Sequence, residues 1–151
     1  VVIPKKITFL LLVLMTIAIA AITLSLSGKA YAKVDPIPFR EIRLLITKLG
    51  EHPLPVSVIV ALLMPAVANM LLFLPWGFLM FILLDDVERP TNQAYLLTLL
   101  LAIAFSAIVE ASQYFLPTRV TDVNDVIWNG VGALVGAFLG HLRKRIRVSF
   151  Q

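Results

Sequence analysis

The sequence predicts an all-α polytopic membrane protein: a bundle of four transmembrane helices with one amphipathic interfacial helix. Three observations predict it. Of the 151 residues, 60% are hydrophobic and 15% charged, against roughly 45–50% and about 25% in soluble domains. The apolar residues are gathered into runs that match the roughly 20 residues needed to cross a hydrocarbon core about 30 Å thick. The longest connection between those runs has apolar residues at helical spacing. This composition excludes a disordered chain, a disulfide scaffold and a soluble nucleic-acid binder. The net charge of +4 comes from basic residues at the termini and in one loop, where they suit anionic headgroups. The lipid bilayer, not nucleic acid, is the expected partner. With no cysteine, disulfides, thiol catalysis and thiolate metal sites are excluded together.

The first span, Ile7–Leu26, is uncharged. A secretory signal is the competing reading, because Lys5 and Lys6 precede the run and Ala30-Tyr31-Ala32 looks like a small-residue cleavage site. Its apolar core exceeds the usual length of about 7–15 residues, which favours an uncleaved helix. The next apolar region, Val56–Leu84, is too long for one untilted crossing and contains Pro65 and Pro75. A proline inside a helix removes a backbone hydrogen bond and tends to kink it. The expected crossing is therefore Ala66–Leu84, with Val56–Met64 as a lead-in turn or partly buried segment. Ala94–Phe115 and Val123–Leu142 are the third and fourth spans. Together, residues 1–142 form one transmembrane domain and 143–151 a basic tail.

Between the first two spans, the connection 28–55 carries Phe39, Ile42, Leu45, Ile46 and Leu49 on one helical face. Arg40, Glu41, Arg43, Thr47 and Lys48 take the other. Pro38 suits the first turn and Gly50 the end. Such a helix lies flat on the membrane or packs on its own bundle, and the pattern fits both.

Orientation follows from the short basic flanks. With both termini cytoplasmic, the inside holds Lys5, Lys6, Arg89, Arg143, Lys144, Arg145 and Arg147. The outside then holds Lys29, Lys33, Arg40, Arg43, Lys48 and Arg119. The wholly basic flank after the fourth span decides for cytoplasmic termini in a cell membrane.

Ionisable residues within apolar spans cost roughly 2.5–3.5 kcal/mol on insertion scales and point to function. Ser106, Glu110 and Gln113 share a face near the end of the third span. Asp122, Asp125 and Asn129, at i, i+3 and i+7, share a face at the start of the fourth. The short connection through Arg119 makes the two helices antiparallel neighbours. Both faces therefore point into one cleft, with Asn69 of the second span at the same side of the membrane. Asn69, Glu110, Gln113, Arg119, Asp122, Asp125 and Asn129 form the candidate ligand-binding cluster. Each has a duller reading: Asp122 as a helix cap with an acidic partner at Asp125, Arg119 as a counter-ion, and the three amides as inter-helix hydrogen bonds. Glu110 resists such a reading best, since no basic residue shares its helix.

Gly132, Gly136 and Gly140 form a small-residue series that admits close approach of another helix, either internal or from a second copy of the chain. His52 and His141 have no metal-ligand companions, and no phosphate-binding loop, nucleophile elbow or His-Glu-x-x-His motif is present. No metal, cofactor or catalytic residue is assigned.

The series Ser106-x-x-x-Glu110-x-x-Gln113, Leu116-Pro117-x-Arg119 and Asp122-x-x-Asp125-x-x-x-Asn129-x-x-Gly132-x-x-x-Gly136 resembles the signature of VanZ-like membrane proteins. Asn69-Met70-Leu71-Leu72-Phe73-Leu74-Pro75-Trp76-Gly77-Phe78 is similar to that family's second-span motif, and Ile37-Pro38-Phe39-Arg40-Glu41-Ile42 to its first-loop segment. The turn Asp85-Asp86-Val87-Glu88 departs from the basic flank expected there. The resemblance covers about residues 35–140. The family's founding member is linked to low-level resistance to the glycopeptide teicoplanin, and the resemblance implies a multi-pass envelope protein acting on or shielding something at the outer leaflet. A non-enzymatic protein binding a lipid headgroup or lipidated glycopeptide is the preferred reading. The alternative is a small intramembrane enzyme acting on a lipid or polyprenyl phosphate. There Glu110, Asp122 and Asp125 would hold a cation or move protons, and Arg119 would hold the phosphate.

Overall fold

The computed structural model describes residues 4–25, 34–85, 89–117 and 120–148. Among these, the elements in chain order are α1 (Lys5–Ser25), β1 (Val34–Asp35), α2 (Arg40–Glu51), α3 (Val56–Leu84), α4 (Thr91–Gln113), β2 (Thr121–Asp122) and α5 (Val123–Val148). Four of these helices, α1, α3, α4 and α5, are long and apolar enough to cross a membrane. The chain is an all-α polytopic membrane protein. Its outer surface is what a bilayer requires: Phe9, Ile17, Leu71, Leu96, Ile108 and Phe138 stand exposed along the four helices and would face lipid.

One boundary differs from expectation. α3 runs unbroken from Val56 to Leu84 through both prolines, so Val56–Met64 is a partly buried helical segment and not a turn. A transmembrane helix tolerates proline because neighbouring helices and local adjustments satisfy the freed carbonyls. At 1.5 Å per residue α3 is about 43 Å long, and the excess over a core of about 30 Å matches that leading segment. α5 continues past Leu142 to Val148, so the basic stretch begins as helix. Ala30-Tyr31-Ala32, Asp86-Val87-Glu88 and Arg119 lie outside the described residues.

The tightest interface is α3 on α5. Gly132 faces Met70, Gly136 faces Leu74 and Phe78, and Gly140 faces Phe78 and Phe81, so both partner numbers rise together and the helices run parallel. The approach is backbone to backbone. A Cβ on Gly132 would strike the Met70 carbonyl, and one on Gly136 the Leu74 carbonyl. Gly77 does the same from the α3 side, against Ala133. The glycine face is therefore filled by the chain's own α3. Of the two partners that the series Gly132, Gly136 and Gly140 allowed, the structure shows the internal one.

An aromatic cluster sits below this seam. Phe73, Trp76 and Phe105 lie within 6.0 Å of one another by ring centroid. The indole Nε1 of Trp76 donates to Thr16 Oγ1 at 2.9 Å, which ties α1 to α3. Buried Leu12 and Ile19 complete the contact, so α1 is built into the bundle.

At the other end of α1, the strands β1 and β2 form a two-residue parallel bridge, Val34 to Thr121 and Asp35 to Asp122. The bridge pulls the first loop onto the α4–α5 connection. From there α2 packs partly on α3, with Ile42 and Leu45 half-buried and Ile46 and Leu49 exposed.

Alanine at Gly136 is expected to lower stability by about 1–3 kcal/mol, because neither backbone can yield to the added carbon. At Gly140, where the nearest atom is the Phe81 ring at 3.0 Å, the same change should cost less than about 1 kcal/mol. Melting of the purified variants in one detergent checks the order. Equal costs at the two positions would contradict a seam closed at Gly136.

Candidate functional site

The polar residues expected in one cleft divide into two layers. The inner layer lines a cavity of about 170 Å³ between the four spanning helices. Asn69, Glu110, Gln113, Asp125 and Asn129 all contribute to its wall, together with Phe73 and Thr23. The outer layer holds Asp122, which lines a neighbouring, more open hollow of about 340 Å³ with Asp35 and Thr121. Glu110 lines both and forms the partition.

The two layers arise from the way α5 begins. Asp122 is not on the helical face of Asp125 and Asn129; it is the residue before the helix. Its Oδ1 accepts the backbone N–H of Asn124 at 2.8 Å, which is an N-cap. In a capping box the reciprocal acceptor would be the carboxylate at Asp125. Here it comes from another helix: Glu110 Oε2 accepts the Asp122 N–H at 2.8 Å, and the Thr121 hydroxyl donates to the Glu110 carbonyl at 3.1 Å. Glu110 therefore joins the end of α4 to the start of α5. Asp125 is left to accept from Asn69 Nδ2 at 2.6 Å.

Burial and hydrogen bonding set the character of the inner cavity. Gln113 is 1% exposed and Asn129 5%. The Gln113 side-chain NH₂ donates to the Thr23 carbonyl at 3.3 Å, and Asn129 Nδ2 donates to Ser106 Oγ at 2.8 Å. Their oxygens, Gln113 Oε1 and Asn129 Oδ1, have no hydrogen-bond partner among the described residues. A carbonyl can only accept, so the bond to Thr23 fixes which end of the Gln113 amide is donor and which is left over. Such an orphaned buried acceptor costs about 1–3 kcal/mol. Most native buried polar groups are satisfied; two orphans on one cavity wall are therefore informative.

Sequence reasoning missed Asn124, which is 2% exposed. Its Oδ1 accepts the Phe39 N–H at 2.5 Å and its Nδ2 donates to the Ile37 carbonyl at 3.1 Å. This pairing clamps the Ile37-Pro38-Phe39 segment onto α5. Phe39 is held at φ 57°, the left-handed region, a strained conformation for a bulky residue. The Trp128 ring, edge-on at 6.0 Å, adds to the clamp. The only signal for Asn124 in the sequence was its place in a helix's first turn, where asparagine reads as a local cap.

In the outer layer, carboxylate oxygens of Asp35, Glu41 and Asp122 lie within 4.8 Å of one another. This is a different trio from the Glu110, Asp122 and Asp125 set that a cation-holding enzyme required, because Asp122 turns away from the cavity that Asp125 lines. Arg40 pairs with Asp35, and that hydrogen bond holds the Asp35 carboxyl below its ordinary range. Burial pushes Asp122 up, and the nearby Glu41 and Asp35 charges add to it, against the lowering effect of its bonds from Asn124.

A raised carboxyl favours the folded state below its unfolded pKa and loses that advantage as pH rises through the folded value. An asparagine at this position would cap as well as aspartate does without the charge. In Asp122→Asn, melting temperature at pH 7 should equal or exceed the parent's, and any advantage should shrink towards pH 4. A large loss at pH 7 would show instead that the carboxylate itself is needed.

No curated protein matches the chain, and no solved structure does. The family model described as VanZ/LLP1 matches residues 7–144, nearly the whole chain and every element that builds the two-layered site. The chain belongs to the VanZ/LLP1 family.

Proposed function

We propose that this protein is a non-enzymatic, multi-pass protein of the cell envelope whose inner cavity binds a ligand drawn from the outer leaflet, contributing in that way to protection against teicoplanin. One observation carries the reading: the two orphaned amide oxygens, Gln113 Oε1 and Asn129 Oδ1, on the wall of one cavity. A purely structural core would have matched them with donors from its own helices, as it does for Asn69 with Asp125. Unmet acceptors beside an open volume fit a site whose partner arrives from outside.

The orientation with both termini cytoplasmic puts this end of the bundle outward, and the basic residues after Leu142 support it. The enzyme reading loses its main support, since its three carboxylates do not share one cavity. The family resemblance supplies the link to teicoplanin; the cavity supplies a place for binding or shielding to occur.

A Gram-positive host expressing the chain tests this by its teicoplanin susceptibility, at matched membrane abundance. The parent should protect. Gln113→Leu, which removes an orphaned acceptor, and Glu110→Gln, which keeps an acceptor for the Asp122 N–H, should both return susceptibility to the empty-vector level. Protection surviving both changes would reduce the cavity to a structural role. No protection from an abundant parent would remove the resistance role.

A further inference from the structure

Four helices ring the inner cavity, and three of their four seams are pinned at its level. α4 meets α5 where Asn129 Nδ2 donates to Ser106 Oγ. α5 meets α3 where Asn69 Nδ2 donates to Asp125, and α1 meets α4 where the Gln113 side chain donates to the Thr23 carbonyl. The fourth seam, α1 on α3, has its hydrogen bond elsewhere, from Trp76 to Thr16. Thr16 precedes Thr23, and Trp76 follows Asn69, by two turns of helix. That pin therefore lies about 10 Å below Thr23 and Asn69 at 1.5 Å per residue. At the cavity itself the Thr23 hydroxyl turns back to the Ile19 carbonyl of its own helix at 2.7 Å. Among the described residues, no polar contact joins α1 to α3 there.

Exposure marks the same opening. Phe73, Val109, Glu110, Gln113 and Asn129 form a buried back wall. Two lining residues are exposed instead, Ile22 on α1 and Ala68 on α3, one on each side of the unpinned seam. Both helices are long and apolar enough to cross a membrane. The surface beside the seam is apolar too, with Leu24 on α1 and Met64, Val67 and Leu71 on α3 exposed.

We propose that the seam between α1 and α3 is a lateral portal, and that a membrane lipid enters the inner cavity through it, polar end first, leaving its chains in the bilayer. This rests on the reading of the cavity as a ligand site, and adds the route and the ligand class that the route implies. A water-borne solute would have to cross hydrocarbon to pass between Ile22 and Ala68; an amphiphile already lies beside them. The cavity of about 170 Å³ compares with the ~150 Å³ of an engineered cavity that holds benzene, so it admits one end of a lipid and excludes the rest. The polar end is the one that enters, because a hydrocarbon chain would leave Gln113 Oε1 and Asn129 Oδ1 unmet.

The test uses the full chain reconstituted in vesicles of equimolar phosphatidylglycerol and phosphatidylethanolamine, then extracted and weighed by mass spectrometry that preserves bound lipid. The parent should keep one lipid per chain. Ala68→Trp and Ile22→Trp fill the portal from opposite sides and replace no hydrogen-bonding side chain. Each should lower retention about tenfold, the equivalent of about 1.4 kcal/mol, with melting temperature unchanged. Val67→Trp, at a position also exposed on α3 but outside the lining, should leave retention as it is. Glycerol phosphate and phosphoethanolamine, the two headgroups without chains, should not displace the lipid.

Displacement by either soluble headgroup would overturn the lateral route. Retention unchanged in both portal variants, or lost equally in Val67→Trp, would do the same. A parent that protects against teicoplanin but holds no lipid would keep the cavity as a ligand site and overturn the portal. Portal-dependent retention without protection would support the portal and remove the resistance role.

Discussion

The site depends on how closely α3 can approach α5. Two helices in a bilayer gain little from hiding apolar surface, since lipid tails are as apolar as leucine. Close packing and hydrogen bonds must hold them. Gly77, Gly132 and Gly136 let the two backbones touch, and this contact fixes the register that sets Asn69 against Asp125 at 2.6 Å. A wider seam would move one wall of the cavity away from the other. The aromatic cluster of Phe73, Trp76 and Phe105 lies directly below and gives the polar end an apolar floor.

A second constraint acts at the mouth. The start of α5 is held by three contacts with the rest of the chain: Glu110 accepts the Asp122 N–H, Asn124 clamps the first loop, and the two-residue bridge joins β1 to β2. One consequence is that Glu110 has a structural task and a wall position at the same time. Its substitution by alanine would confound the two, whereas glutamine keeps the acceptor. Another is that the strained Phe39 backbone is offset by its contacts to α5, so the first loop and the fourth span must form together.

Much of this was legible in the sequence, for definite reasons. Hydropathy and length gave the four spans, because a bilayer imposes one length on every crossing. The i, i+4, i+7 spacing correctly put Ser106, Glu110 and Gln113 on one buried face. The continuity of α3 was not legible, since the rule that proline breaks helices comes from water, where a freed carbonyl can turn to solvent. The shared-face argument misplaced Asp122, because helical periodicity applies only within a helix and Asp122 stands one residue before it, where the capping reading puts it. Asn124 was missed because its partners, Ile37 and Phe39, are more than eighty residues away. The glycine series announced close approach, but periodicity carries no information on which helix approaches.

An experimental structure of the chain in a lipid environment, read at the cavity between Gln113 and Asn129, tests the central claim most directly. The account predicts density for a bound group other than protein, with donor atoms within hydrogen-bond distance of both Gln113 Oε1 and Asn129 Oδ1. A closed cavity, with these two oxygens satisfied by donors from the chain itself, would contradict it.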